Sequence, residues 1–546
     1  MTLHTTLFRT CALVLSIAAM SLPAQDRSST GSIGGSVLDD GTGKPMAQVA
    51  VIVPAGAKSL ETKTNSNGHY EFRDVAPGLC RMVAYSLVGA SGSRTITLGP
   101  GQHLASIDFR LEAFASAAGK VVDDNKEPLP GMVVELIARE YQNGSLRYVL
   151  AGPMAQTDDR GQYTLTGVAP GRGYLILARK PGPSLSAISD VPADAALRKP
   201  VLIPTWFGDS DSTDGAEIVT LGPGERREAI DIRVRRSPSQ CVEGVLDAEG
   251  VPAPLGFFFE PERPTSGRFE DGAALLMQPR GQAGADGRIR LCNLTAGTYR
   301  LTAFGENLPS LGETIVAVGK EDVRKLSLTA HRPAPVVGEV AIEGVQPAQP
   351  LPSKLGLALS PVVPRLGVRG EEGLVAQSSI PGAFSFGGVL PDEYAVEIRN
   401  VPPDFYIKDV TYGGASVLHL PLRADAATAS AHLHIVLASD GGTIATKVAD
   451  RDGNPVQDCN IVVVPTETGS DAALADAIAT GRTDQYGAYS SPRLAPGKYY
   501  VLATAARTGR SPEFIGKLTR ALNRLQDVEL GAGASVQVSL SPTGLD

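Results

Sequence analysis

Gly68-His69-Tyr70-Glu71-Phe72, followed by Pro77-Gly78-Leu79-Cys80, reads as a turn glycine, an alternating strand, a Pro-Gly corner and the start of a second strand. The same phrase returns four times. It recurs as Gly161-Gln162-Tyr163-Thr164-Leu165 with Pro170-Gly171 and Tyr174, and as Gly287-Arg288-Ile289-Arg290-Leu291 with Ala296-Gly297-Thr298-Tyr299. Then come Gly382-Ala383-Phe384-Ser385-Phe386 with Pro391-Asp392-Glu393-Tyr394, and Gly487-Ala488-Tyr489 with Pro496-Gly497-Lys498-Tyr499. A repeat governs the reading of the whole fold. The turn glycines recur about every hundred residues, longer than the roughly 45 residues of a solenoid repeat. A unit of about 100 residues can enclose its own core. The expected organisation is beads on a string.

Alternation supports a sheet in each bead. Tyr70 and Phe72 point one way, His69 and Glu71 the other; Tyr299, Leu301 and Ala303 share a face opposite Arg300 and Thr302. One apolar and one polar face describe an antiparallel sheet packed on a second sheet. Each copy opens with a strand and a turn rich in Asp, Asn, Gly and Pro, as in Asp39-Asp40-Gly41-Thr42-Gly43-Lys44-Pro45 and Asp450-Arg451-Asp452-Gly453-Asn454-Pro455. Most copies close with an alternating strand behind a Gly-rich turn, such as Ile107 to Leu111, Ile230 to Val234 and Val536 to Leu540. Helices are expected only as insertions. Ser511-Pro512-Glu513 supplies a cap, a first-turn proline and an acid, ahead of the stripe Ile515, Leu518, Leu522 and Leu525. A second short helix is expected from Ser470 to Ala479, and a helical turn near Ala193–Arg198.

The 546-residue chain carries 60 Gly and 40 Pro, 42% hydrophobic residues and a net charge of −8. The Gly and Pro excess fits turns in an all-β protein, and the hydrophobic content suffices for cores. Basic residues form no stripe, which argues against nucleic acid as a partner. Arg9, the apolar run Cys11 to Leu22 and Pro23-Ala24-Gln25 fit a secretory signal peptide over residues 1–25. No later run of 18 apolar residues predicts a membrane span after processing. The expected location is the periplasm, the cell surface or the extracellular space. Export permits a disulfide between Cys241 and Cys292, which fall in one repeat; Cys80 and Cys459 read as buried thiols. The segments are 31–112, 113–236 with a long insertion, 237–331, the divergent 332–438, and 439–541 with a helix in its C-terminal half.

The string G-x-V-x-D, G-x-P, T-D-x-x-G-x-Y and P-G-x-Y resembles the carboxypeptidase regulatory-like domain, a transthyretin-like sandwich found beside metallocarboxypeptidases and in bacterial envelope proteins. Val37-Leu38-Asp39 with Lys44-Pro45, Thr157-Asp158 through Tyr163, and Thr483-Asp484 through Tyr489 carry the resemblance best. In the fourth copy, Ile380-Pro381-Gly382 replaces the Asp-containing turn. The resemblance implies an all-β tandem array of five transthyretin-like Greek-key β-sandwich domains. Such domains are grouped with carbohydrate-binding-like sandwiches, which implies glycan contact.

No catalytic constellation is expected. The seven histidines form no His-x-x-Glu or His-Glu-x-x-His arrangement, and there is no Gly-x-Ser-x-Gly elbow, P-loop or dinucleotide fingerprint. His432 and His434 share a strand face, fit either for a metal or for a plain polar surface. Asp39-Asp40, Asp123-Asp124 and Asp158-Asp159 read as turn caps, with calcium as the other possibility. No cofactor and no metal are expected. The sole tryptophan, in Thr205-Trp206-Phe207-Gly208-Asp209, defines the candidate ligand site Trp206, Phe207 and Asp209. An aromatic face beside carboxylates suits a sugar ring; the same residues could instead anchor the loop onto the sandwich. The leading expectation is a non-enzymatic, exported binding or scaffold protein with a glycan or an envelope protein as partner. The alternatives are a structural spacer or assembly module, and an accessory subunit of an envelope peptidase or transporter.

Overall fold

A computed structural model describes residues 30–545 apart from 56–57, 87–88, 90–91, 143–144, 182–193, 248–254, 262–266, 270–279, 306–307, 330–333, 345–350, 363–373, 390, 426–427 and 429. The expected signal segment 1–25 lies outside the described residues. The described chain is all-β with short helices. Five successive apolar cores follow one another along it, spanning Ile33 to Leu111, Ala115 to Val234, Val242 to Leu328, Val336 to Leu437 and Ile444 to Val538. Each lies between two sheets.

The first unit shows the wiring. Its opening strand Gly31–Asp39 pairs antiparallel with His69–Val75 and parallel with the closing strands His103–Leu104 and Phe109–Leu111. The facing sheet runs Lys58–Lys63, Ala50–Ala55, Gly78–Tyr85, Gly92–Leu98. The chain makes two hairpins within the facing sheet and otherwise crosses between layers. The third unit repeats the pattern around Gln240–Asp247, and the fifth around Thr443–Val448.

The repeated motif is explained residue by residue. Thr64, Thr157 and Thr483 are buried, and each hydroxyl donates to a carbonyl of the turn after the opening strand: Met46 at 2.7 Å, Leu129 at 2.6 Å and Val456 at 2.7 Å. Each also accepts a backbone N–H, from Val49, Met132 and Cys459. The next residue caps the turn: Asn65, Asp158 and Asp484 each accept two backbone N–H groups. The turn glycines 68, 161, 287 and 487 sit at φ +70 to +76, where a side chain is strained. The first motif tyrosine ties the layers together, since the Tyr70 and Tyr163 hydroxyls donate to the carbonyls of Ile107 and Ile230 at 2.5 and 2.7 Å. The second closes the corner, with Tyr174, Tyr299 and Tyr499 donating to the carbonyls of Ala169, Thr295 and Ala495. This is the logic of a tyrosine corner.

A glycine on the opening strand completes the set. Gly35, Gly119, Gly244 and Gly338 lie under the closing segment, where a Cβ would collide with the carbonyls of Ile107, Ile230, Leu326 and Leu433. The fifth unit has Thr446 there, opposite Tyr489. Its closing strand Ser535–Leu540 runs in unbroken parallel register, and neither the Thr446 nor the Tyr489 hydroxyl has a partner among the described residues. Burial pushes the Tyr489 phenol up to about 12.

Two faces that should meet water are covered. In the fifth unit Asn460–Pro465 is buried on both sides over its first five residues. Helix α1 (Asp471–Ala477), capped by Ser470, and helix α2 (Pro512–Ala521), capped by Ser511, cover the outer side. Phe514, Ile515 and Leu518 pack on Val462, Val464 and Leu502. Each such side chain contributes about 1.5–3 kcal/mol. In the second unit the strands Val133–Gln142 and Gly173–Arg179 likewise present Ile137, Leu175 and Leu177 on their outer face, under the segment that carries Trp206. The expected helical turn is a 3-10 turn over Ala195–Leu197.

Beads on a string does not describe the arrangement, because the second unit contacts the others. Strand Gly267–Phe269 adds in parallel to its Ser145–Leu150 edge. Arg147 donates to the Pro361 carbonyl at 3.2 Å. Arg198 pairs with Asp322 of the third unit at 2.6 Å. Against the fifth unit, the Tyr141 N–H donates to the Arg510 carbonyl at 2.7 Å and Arg139 pairs with Glu513. The first unit docks on the fifth. Gln485 accepts the Thr97 N–H at 3.0 Å and donates to the Thr97 carbonyl at 2.7 Å, while the Thr97 hydroxyl donates to Asp484. Arg94 faces Asp458, and Arg482 donates to the Ser93 carbonyl at 3.0 Å.

Candidate functional site

Trp206 is not a ligand platform. It lies on the short strand Thr205–Trp206, paired to Leu177 and Ala178, with no exposed surface. Its ring sits among Ile137, Tyr148, Leu175 and Leu177. Phe207 is half-buried against the second core. Asp209, at φ +57, accepts the Arg233 N–H at 2.8 Å and pairs with its guanidinium at 3.3 Å. Asp211 faces Arg235 at 3.5 Å. The loop is thus an anchor: its indole fills the outer face of a sheet and its acids hold the closing segment.

Cys241 and Cys292 are joined by a disulfide. Cys80 and Cys459 are buried and free. The His432 and His434 rings stack at 6.1 Å, and His434 Nδ1 lies 3.1 Å from Glu339. Among the described residues no group of three or more His, Cys, Asp or Glu could hold a metal ion. Asp123 and Asp39 accept backbone N–H groups of their own turns. For Asp39 the Thr42 hydroxyl and N–H hold the carboxyl below its usual range.

A cleft of about 1880 Å³ opens where the first, second and fifth units meet. One wall is the outer face of the first unit's Gly78–Tyr85 and Gly92–Leu98 strands. Leu79 stands opposite Thr97 and Arg81 opposite Thr95 on it. The other wall is the outer face of the fifth unit's opening sheet, where Lys447 lies opposite Ala488 and Ser539, and Ala445 opposite Ser490 and Gln537. Leu79 is 75% exposed. Beside Leu79, Ala445 and Ala488, the named wall residues are hydroxyls, an amide and cations. Arginines surround the contact: burial lowers the pKa of the Arg94 guanidinium, with Arg482 and Arg110 pushing the same way. Burial likewise lowers that of Arg482, reinforced by Arg81.

Sequence reasoning did not reach this cleft. Its walls come from residues near 80 and near 447, and no local pattern announces that two sheet faces will oppose each other.

Residues 32–112 match the carboxypeptidase regulatory-like domain, so the first unit is a domain of that type. No protein of curated function matches the chain. Among solved structures, the minor pilin of Streptococcus agalactiae is similar at 14% identity, covering 38% of this chain and 97% of that one, with a TM-score of 0.24. The major pilin subunit of Bacillus cereus is similar at 11% identity over 56% of this chain and 99% of that one, with a TM-score of 0.14. The shaft pilin of Lactobacillus rhamnosus is similar at 10% identity over 43% and 100%, also with a TM-score of 0.14. Among the described residues no helix is long and apolar enough to cross a membrane.

Proposed function

We propose that the chain is a non-catalytic binding scaffold of the cell exterior, made of five sandwich domains, that holds a glycan in the cleft between its first, second and fifth units. The carrying observation is the cleft itself, about 1880 Å³, with two sheet faces as walls. Hydroxyls of Thr95, Ser490 and Ser539 and the amide of Gln537 match the donors and acceptors of a sugar. Exposed Leu79 offers the apolar surface that the C–H face of a pyranose needs. The carboxypeptidase regulatory-like match supports a binding rather than a reacting role. The fold-back of the first unit onto the fifth favours a scaffold over an extended spacer.

The test is an oligosaccharide array followed by calorimetry on wild type, Leu79→Asp and Gln537→Ala. Both side chains are exposed, so folding should persist. Binding that weakens in these variants supports the proposal. A folded protein that binds no oligosaccharide, or binds equally well in both variants, overturns it.

A further inference from the structure

The charges of the cleft do not balance. Of its carboxylates, Glu112 faces Arg507, Glu140 faces Arg172, Asp458 faces Arg94 and Glu513 faces Arg139. Asp484 is engaged by its own turn and by Thr97. Asp40 is the remaining acid. Against it stand Arg81, Arg110 and Lys447, all exposed and none paired with a carboxylate among the described residues. Arg482 adds a fourth cation. Its hydrogen bonds go to neutral oxygens, Asn460 Oδ1 at 3.2 Å and the Ser93 carbonyl.

We propose that the cleft selects an anionic polysaccharide, one carrying carboxylates along its chain, with Arg81 and Arg110 of the first unit and Lys447 of the fifth meeting those carboxylates. The inference rests on the glycan reading above and sharpens its ligand class. Guanidinium forks match carboxylates in geometry, and an ammonium adds a point charge. Low-dielectric walls on both sides concentrate the potential beyond what an open surface sustains. Arg482, partly buried and close to Arg81, adds to the same field. The whole chain is acidic, with a net charge of −8, so this excess of cations is local. The hydroxyl-bearing walls and exposed Leu79 distinguish the site from a bare polyanion trap, which would need neither.

The experiment compares an oligogalacturonate with a cello-oligosaccharide of equal length on the full chain, at low and high salt, by calorimetry. Single-stranded DNA serves as a second polyanion. Wild type is expected to bind the oligogalacturonate, to bind the neutral sugar and the DNA more weakly, and to lose affinity with salt. Arg81→Gln, Arg110→Gln and Lys447→Gln should each weaken binding about two- to fivefold, as removal of one exposed ion pair does. The triple variant should lose on the order of tenfold or more. Circular dichroism of the triple variant checks that it folds. Equal affinity for both sugars, with the variants unchanged, overturns the charge selection while leaving the glycan site standing. DNA bound as tightly as the oligogalacturonate overturns the saccharide assignment. No binding of either sugar overturns both readings.

Discussion

Replacing Trp206 by alanine should cost stability and leave glycan binding alone. The indole is fully buried, packed on Ile137, Tyr148, Leu175 and Leu177. A buried aromatic of this size removes about 150–250 Å² from water. At about 25 cal/mol per Å² that is roughly 4–6 kcal/mol. Measured truncations of Trp or Phe to Ala fall at about 3–5 kcal/mol, since neighbours partly collapse. We therefore expect about 4 kcal/mol. Because a chain of several units does not unfold in one step, the measurement must be local. Amide hydrogen exchange read on peptides covering Val133–Gln142 and Gly173–Arg179 supplies it. A loss of about 4 kcal/mol lowers protection there by roughly a thousandfold. Wild-type fluorescence gives a second check, as Trp206 is the sole tryptophan. Its native emission should be blue-shifted, shielded from iodide and indifferent to oligosaccharide. Protection that falls less than tenfold, or an indole quenched as readily in the native as in the unfolded chain, would refute the core assignment.

Three further outcomes follow from other contacts. Glu135 and Arg179 form a buried bidentate pair, 0% and 3% exposed, at 2.6 and 3.1 Å. Arg179→Ala leaves a buried carboxylate and should cost about 3–5 kcal/mol by local exchange, whereas Glu135→Leu combined with Arg179→Met should come close to neutral. Tyr163→Phe strands the Ile230 carbonyl and should cost about 1–3 kcal/mol; Tyr489→Phe, which removes a hydroxyl without a partner among the described residues, should be neutral or stabilising by the same local-exchange measurement. Arg198 hydrogen-bonds Asp322 and holds its carboxyl down at about 2. A carboxyl depressed on folding contributes stability above its unfolded value, lost as pH falls through the folded one. The stability difference between wild type and Arg198→Gln should be full above about pH 4 and vanish below about pH 2; a difference that persists undiminished below pH 2 would remove the ion pair as its source.

The hairpins, the turn glycines and the alternating faces were legible because each rests on neighbours close in sequence. Tyr70, Tyr163 and Tyr489 read alike as apolar strand residues, yet only the first two find a carbonyl across the sandwich. The difference lies at Gly35 and Gly119 against Thr446, a contrast open to inspection once the opening strands are aligned. The Trp206 anchor also left a trace. Ile461 to Val464 breaks alternation with a continuous apolar run, and Val133 to Ala138 with one interrupted only by Glu135, which a sheet with one wet face does not tolerate. Those runs announce a covering layer, supplied by Trp206 in one case and by α1 and α2 in the other. The cleft left no such trace. Leu79 and Lys447 belong to strands whose outward faces look ordinary until another unit stands in front of them.

The two hydrogen bonds between Gln485 and Thr97 reach beyond docking. Gly92–Leu98 is the outermost strand of its sheet, and such a strand offers unpaired amides to any passing chain. A single carboxamide satisfies both backbone groups of Thr97, much as a neighbouring strand would. The protein thus plugs its own open border intramolecularly. Polymerisation by strand addition at that border requires the closure to be broken first.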